Sequence, residues 1–77
     1  MGLTAPQHVC LIAISRASAL DQISLGKALG MDRATIGELI RRLEARGLVE
    51  RASDPRDARR KIVALTPAGR ELVPAAE

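Results

Sequence analysis

The sequence predicts a mainly helical fold that carries a small β-hairpin. Three observations lead there. Capping residues (Thr4, Asp21, Asp32 and Thr66) precede the stretches suited to helices. Ile36, Leu39, Ile40 and Leu43 recur at i, i+3, i+4, i+7. After Gly47 that period gives way to two short apolar runs around a polar turn. A chain of 77 residues has room for one such unit and not two, so 1–77 is read as a single domain.

The elements follow in order. Thr4 caps free N–H groups at the head of a first helix over about 4–18, ending near Ser18. Gln7, three residues on, completes a capping box, and Pro6 falls in the first turn, where its missing N–H does little harm. The run Val9-Cys10-Leu11-Ile12-Ala13-Ile14 is apolar on every side, wider than the stripe a surface helix needs, so one side requires a partner beyond the domain's own core. A second helix spans about 21–29, with Asp21 as N-cap and Leu25, Ala28 and Leu29 on one face. Gly30-Met31-Asp32 forms a tight turn into a third helix over about 32–46, which Gly47 ends. Strands over about 48–52 and 61–65 flank a polar loop containing Asp54-Pro55-Arg56-Asp57. Thr66-Pro67 then begins a last helix from 66 toward Glu77.

Composition narrows the function. The chain has no Phe, Tyr or Trp, so the core must be built from Leu, Ile, Val and Ala, and readers that stack single-stranded bases on aromatic rings are disfavoured. Its one cysteine, Cys10, forms no internal disulfide, and no Cys/His set has zinc spacing; no metal or other cofactor is expected. No apolar run is long enough to span a membrane, and a cytoplasmic protein is expected. Between Arg33 and Lys61 nine basic residues face five acidic ones, a net of +4, leaving −1 for the rest of the chain. A basic middle on a small domain suggests a polyanion partner, although Arg-rich surfaces are often merely solvated.

Helix, helix, glycine turn, amphipathic helix and hairpin in this order make a winged helix-turn-helix, whose second motif helix enters the DNA major groove. Opposite the core face of the third helix lies the ridge Ala34, Glu38, Arg41, Ala45, flanked by Gly37 and Arg42. Ala34 and Gly37 are small enough for close approach to base edges. Arg41 reaches a guanine or a phosphate, and the Thr35 hydroxyl suits a phosphate oxygen. Arg33, at the head of the helix, belongs to the same basic set. Glu38 and Arg42, at i and i+4, also read as an exposed ion pair, and for Glu38 that reading outweighs base readout. In the hairpin loop Arg56, Asp57, Arg59, Arg60 and Lys61 project toward the minor groove or the backbone, with Asp57 orienting the Arg59 guanidinium.

These residues resemble the MarR family of bacterial transcriptional regulators. Asp32-Arg33-Ala34-Thr35-Ile36 with Arg42-Leu43-Glu44-Ala45-Arg46-Gly47-Leu48-Val49 is similar to the family's recognition helix and its exit. Asp54-Pro55-Arg56-Asp57-Ala58-Arg59-Arg60 with Leu65-Thr66-Pro67-Ala68-Gly69 is similar to its wing and following helix; the resemblance covers about 3–72. It implies a homodimer on a pseudo-palindromic operator in double-stranded DNA, usually a repressor released by a small, often phenolic, ligand. It also implies that Ala34, Thr35, Gly37, Glu38, Arg41 and Arg42 face the major groove and Arg59, beside Asp57, the minor groove. Family members carry a helix before Leu3 and long helices after Gly69 that build the dimer and line the effector pocket. Here the first is absent and the second cut short, so the chain reads as a fragment or minimal domain. Gly26 stands where the family often has Ala.

His8 and Cys10, two residues apart, point to opposite sides of a helix and form no dyad. Cys10 reads as a buried structural residue, because no cation lies near enough in sequence to lower its pKa. An enzyme finds no support, since no nucleophile–base pair, metal set or phosphate-binding loop can be assembled. The competing reading is a winged helix used for protein contacts without DNA. Such modules usually lose the basic wing or block the ridge with large apolar residues, and neither change is present here.

Overall fold

The first helix, α1 (Ala5–Ala17), starts where Thr4 and Gln7 satisfy one another: the Thr4 N–H donates to Gln7 Oε1 at 3.1 Å and the Gln7 N–H to Thr4 Oγ1 at 3.2 Å. The computed structural model describes residues 3–17 and 19–73; the expected end of this helix at Ser18, and the stretch 74–77 of the last helix, lie outside the described residues. After α1 come β1 (Ala19–Asp21), α2 (Gln22–Ala28), α3 (Arg33–Ala45), β2 (Val49–Asp54), β3 (Asp57–Leu65) and α4 (Pro67–Glu71). Each later helix has an oxygen cap. Asp21 accepts the Ser24 N–H at 3.0 Å, Asp32 the Thr35 N–H at 2.7 Å and Thr66 the Gly69 N–H at 3.1 Å. Gly30 and Gly47, at φ 69° and 75°, make the left-handed turns that release α2 and α3.

The sheet corrects one expectation. It has three antiparallel strands in the order β1-β3-β2, not two. Ala19, Leu20 and Asp21 pair with Ala64, Val63 and Ile62, so β3 is the central strand and the wing is bonded into the helix-turn-helix on its far side. Both wing strands also run further than the apolar runs indicate. β3 includes the polar segment Asp57–Lys61, and only Pro55 and Arg56 remain between the strands. Val49–Ser53 pair in step with Leu65–Lys61, but Asp54 then pairs with Asp57. Ala58, Arg59 and Arg60 therefore bulge out of the ladder with β2.

The core lies between α1, α2, α3 and one face of the sheet. Leu11 and Ile14 of α1, Leu25 of α2, Ile40 and Leu43 of α3 and Val63 of β3 are fully buried. At roughly 1.5–3 kcal/mol for each such side chain, this aliphatic cluster supplies the driving force without a ring. The α2–α3 crossing is close: a Cβ on Gly26 would lie 3.1 Å from Ile36 Cγ2 and 3.2 Å from the Met31 carbonyl oxygen. That is a packing reason for glycine at this position. The wide apolar face of α1 is only partly covered; Cys10 is buried while Val9 remains 49% exposed. Among the described residues no helix is long and apolar enough to cross a membrane.

Candidate nucleic-acid interface

The amphipathic period of α3 turns Ile36, Leu39, Ile40 and Leu43 inward and leaves Ala34, Thr35, Glu38, Arg41 and Arg42 exposed on the other side. Arg33 stands exposed at the head of the helix. Gly37 is half-buried on the shoulder: a Cβ there would point toward α2, with Gln22 Nε2 its nearest neighbour at 3.5 Å. It thus borders the ridge and the helix crossing at once. Glu38 holds both arginines, taking Arg41 Nη2 at 3.1 Å and Arg42 Nε at 3.0 Å. The Arg42 hydrogen bond and the charge of Arg41 keep the Glu38 carboxyl below its usual range. All three side chains are more than half exposed, so these pairs contribute little stability and yield readily to a stronger anion.

The wing is shaped by its acids. Asp54 Oδ1 accepts the Arg56 N–H at 2.9 Å, closing the turn, and Asp57 Oδ1 accepts the Arg59 N–H at 3.0 Å and its Nε at 3.4 Å. Arg59 stands clear of the body, its side chain 92% exposed. Arg60, one residue on, does the opposite. Its guanidinium meets Asp21 Oδ1 at 2.9 Å and Asp54 Oδ2 at 3.9 Å, and those two carboxylates are only 12% and 14% exposed. Lys61 Nζ donates to Ser53 Oγ at 3.2 Å across the hairpin. Asp21 is held down to about 2, first by hydrogen bonds from Ser24 and then by Arg60.

The head of α3 and the wing meet at a groove of about 530 Å³ between α2, the start of α3 and β3. Arg33, Arg59, Arg60 and Lys61 of the predicted set line it, joined by Lys27, with Asp21 and Asp32 opposing them. Arg41, Arg42 and Arg56 lie outside the groove, the first two along α3 and the last at the tip of the hairpin.

Two other cations counted in the basic middle are tied into the fold. Arg46 Nη1 donates to Gln7 Oε1 at 3.4 Å, joining the end of α3 to the start of α1. Arg51 bridges Glu44 at 3.0 Å and Gln22 at 3.4 Å, so it links β2 to α3 and α2. Sequence reasoning missed the double duty of Asp21 as cap and ion-pair partner, because Arg60 lies 39 residues away along the chain and no local spacing displays the pair. Among the described residues no three His, Cys, Asp or Glu side chains group as a metal site.

Comparison with known proteins agrees with this geometry. The model of the MarR family matches residues 3–61. The transcriptional regulator HosA of Escherichia coli O111:H- is 40% identical over 74 residues, which cover 96% of this chain and 55% of HosA. The HTH-type transcriptional repressor NicR of Pseudomonas putida is 42% identical over 73 residues, covering 95% of this chain and 46% of NicR. Among solved structures, a MarR mutant from E. coli complexed with operator DNA superposes with a TM-score of 0.88 at 33% identity, over 91% of this chain and 50% of that one. The PcaV regulator of Streptomyces coelicolor in complex with its natural ligand superposes with a TM-score of 0.88 at 40% identity, over 91% and 50% of the two chains. The chain thus spans about half the length of the relatives it matches.

Proposed function

The chain belongs to the MarR family, and on that premise we propose that it binds a pseudo-palindromic operator in double-stranded DNA as a transcriptional regulator, acting as a dimeric repressor that a small phenolic ligand releases. One observation carries the reading: an exposed α3 ridge with small Ala34 and cationic Arg41 and Arg42 begins at Arg33, which shares a groove with a wing whose Arg59 is free to reach outward. On this reading α3 enters the major groove, with Ala34, Thr35, Gly37 and Glu38 nearest the bases. Arg33, Arg41, Arg42 and Arg56 neutralise phosphates, and Arg59, oriented by Asp57, enters the minor groove or meets the backbone. Lys61, donating to Ser53, lies at the base of the wing within reach of the same backbone.

The related MarR bound to operator DNA and the relatives named as regulators and repressors support this reading, and support a regulator rather than an enzyme. PcaV, solved with its natural ligand, supports ligand response. Exposed Val9 on α1 and Leu72 after α4 support a second copy covering the apolar side, and the reading places the protein with its DNA in the cytoplasm.

Fluorescence anisotropy with labelled duplexes across a salt series tests the proposal. Arg59→Ala should weaken binding to every duplex and reduce the slope of log K against log salt by ~0.9, the share of one phosphate. Ala34→Leu should abolish preference for the operator recovered by selection while sparing binding to mixed sequence. Parent-like binding by both variants overturns the assignment.

A further inference from the structure

Arg59 and Arg60 are adjacent and chemically identical, yet the fold sends them to different work. The three-residue bulge Ala58–Arg60 explains the split: it takes this stretch out of register with β2, so that one guanidinium leaves the molecule and the next turns back onto it. Arg60 reaches two carboxylates on different elements. Asp54 belongs to the wing turn, whereas Asp21 ends β1 and caps α2 through the Ser24 N–H. Wing and helix-turn-helix are thus joined by one side chain just where β1 stops pairing with β3, since the last paired residues are Asp21 and Ile62. Beyond that point this edge of β3 has no strand beside it among the described residues, and the Arg60–Asp21 pair takes over as its tie to the body.

We propose that Arg60 is a positioning residue and not a DNA contact: by clamping Asp54 to Asp21 it fixes the wing against α2 and so holds Arg59 at the spacing from the α3 ridge that duplex DNA requires. The inference rests on the DNA-binding reading above. Arg is suited to the task because its planar fork engages two carboxylates at once, which a Lys point charge does not.

The test measures binding of the 77-residue chain to a short labelled duplex of mixed sequence across a salt series, with melting curves run in parallel. Asp21→Asn is the decisive variant. Asn remains a good helix cap, and removing a negative charge from the protein should by itself tighten its hold on a polyanion. A positioning role requires the opposite, a loss of roughly five- to tenfold. Arg60→Lys, which keeps the charge, should fall with Arg60→Ala rather than with the parent. The loss from Arg60→Ala should shrink toward nothing in an Arg59→Ala background, because Arg60 acts through Arg59. Tighter or unchanged binding by Asp21→Asn, parent-like binding by Arg60→Lys, or simple additivity of the two alanine variants overturns the clamp while leaving DNA binding intact. A parent chain without salt-dependent duplex binding overturns both.

Discussion

Replacing Gly69 by Ala sets two expectations of opposite sign against each other. Helix propensity alone favours Ala inside a helix by about 1 kcal/mol. The structure opposes the change. A Cβ on Gly69 would land on the Leu48 carbonyl oxygen, well inside contact distance, and 3.1 Å from the Leu48 carbonyl carbon. Neither atom belongs to a side chain that can swing away. The Leu48 oxygen accepts the Thr66 N–H at 3.1 Å, and the Thr66 hydroxyl is itself anchored on the Gly47 carbonyl oxygen at 2.6 Å. Overpacking of this kind costs roughly 1–3 kcal/mol, and pushing α4 off the Leu48 backbone strains the Thr66–Leu48 bond, another ~0.5–1.5 kcal/mol. After the propensity gain, the net loss is about 0.5–3.5 kcal/mol. A domain of this size loses ~4–8 °C in Tm per kcal/mol, so the melting point should drop on the order of 10 °C. Thermal melts followed by far-ultraviolet circular dichroism measure it. Gly37→Ala is the control: its Cβ would meet Gln22 Nε2 at an ordinary 3.5 Å, in the middle of α3, and this variant should melt above the parent. A Gly69→Ala chain that melts at or above the parent would refute the claim that the approach of α4 to the Leu48 backbone demands glycine.

Other outcomes follow from the charges. Asp21, held near 2 against an ordinary 3.8, stabilises the fold above pH 3.8 and loses that contribution as pH falls toward 2. The full shift corresponds to about 2 kcal/mol, reduced by solvent around the half-exposed Arg60, and denaturant melts between those pH values should show it vanish in Asp21→Asn. Glu38→Gln should tighten binding to mixed-sequence duplex about two- to threefold in anisotropy titrations, the Coulomb effect of one unit charge roughly 8 Å from a phosphate in water; weaker binding would show that Glu38 serves the DNA directly. Cys10, whose thiol burial pushes up to about 11, favours the folded chain increasingly less as pH rises from 9 toward 11, because only the opened chain ionises there. Cys10→Ser should remove this alkaline component from urea melts.

What was legible in the sequence was local chemistry. Thr4 with Gln7, Asp21, Asp32 and Thr66 each find their partner three residues away, so the spacing alone displays the cap. Gly30 and Gly47 mark helix ends for the same reason, and the inward face of α3 is written in its period. What escaped depends on distant partners. β1 is three residues long, too short for alternation to register, and its ladder lies more than forty residues further along the chain. In the sequence the polar half of β3 reads as a loop, because its residues 58–61 are exposed and leave no apolar alternation. Nothing in the string Arg59-Arg60 separates the guanidinium that leaves the fold from the one that turns back; only the bulge does.

The enclosure of Cys10 has a practical corollary. The chain has one thiol and no Phe, Tyr or Trp, and that thiol is wholly shut inside the core. Since a thiolate is the reactive species and needs solvent to form, a maleimide or disulfide reagent modifies this site only in molecules whose core has come apart. The labelling rate then reports the population of opened chains, a clock for breathing motions that no intrinsic fluorophore here could supply. Any molecule that binds the closed form alone should slow that clock by the factor 1 + [L]/Kd, which lets operator fragments and small effectors be ranked on one unmodified chain.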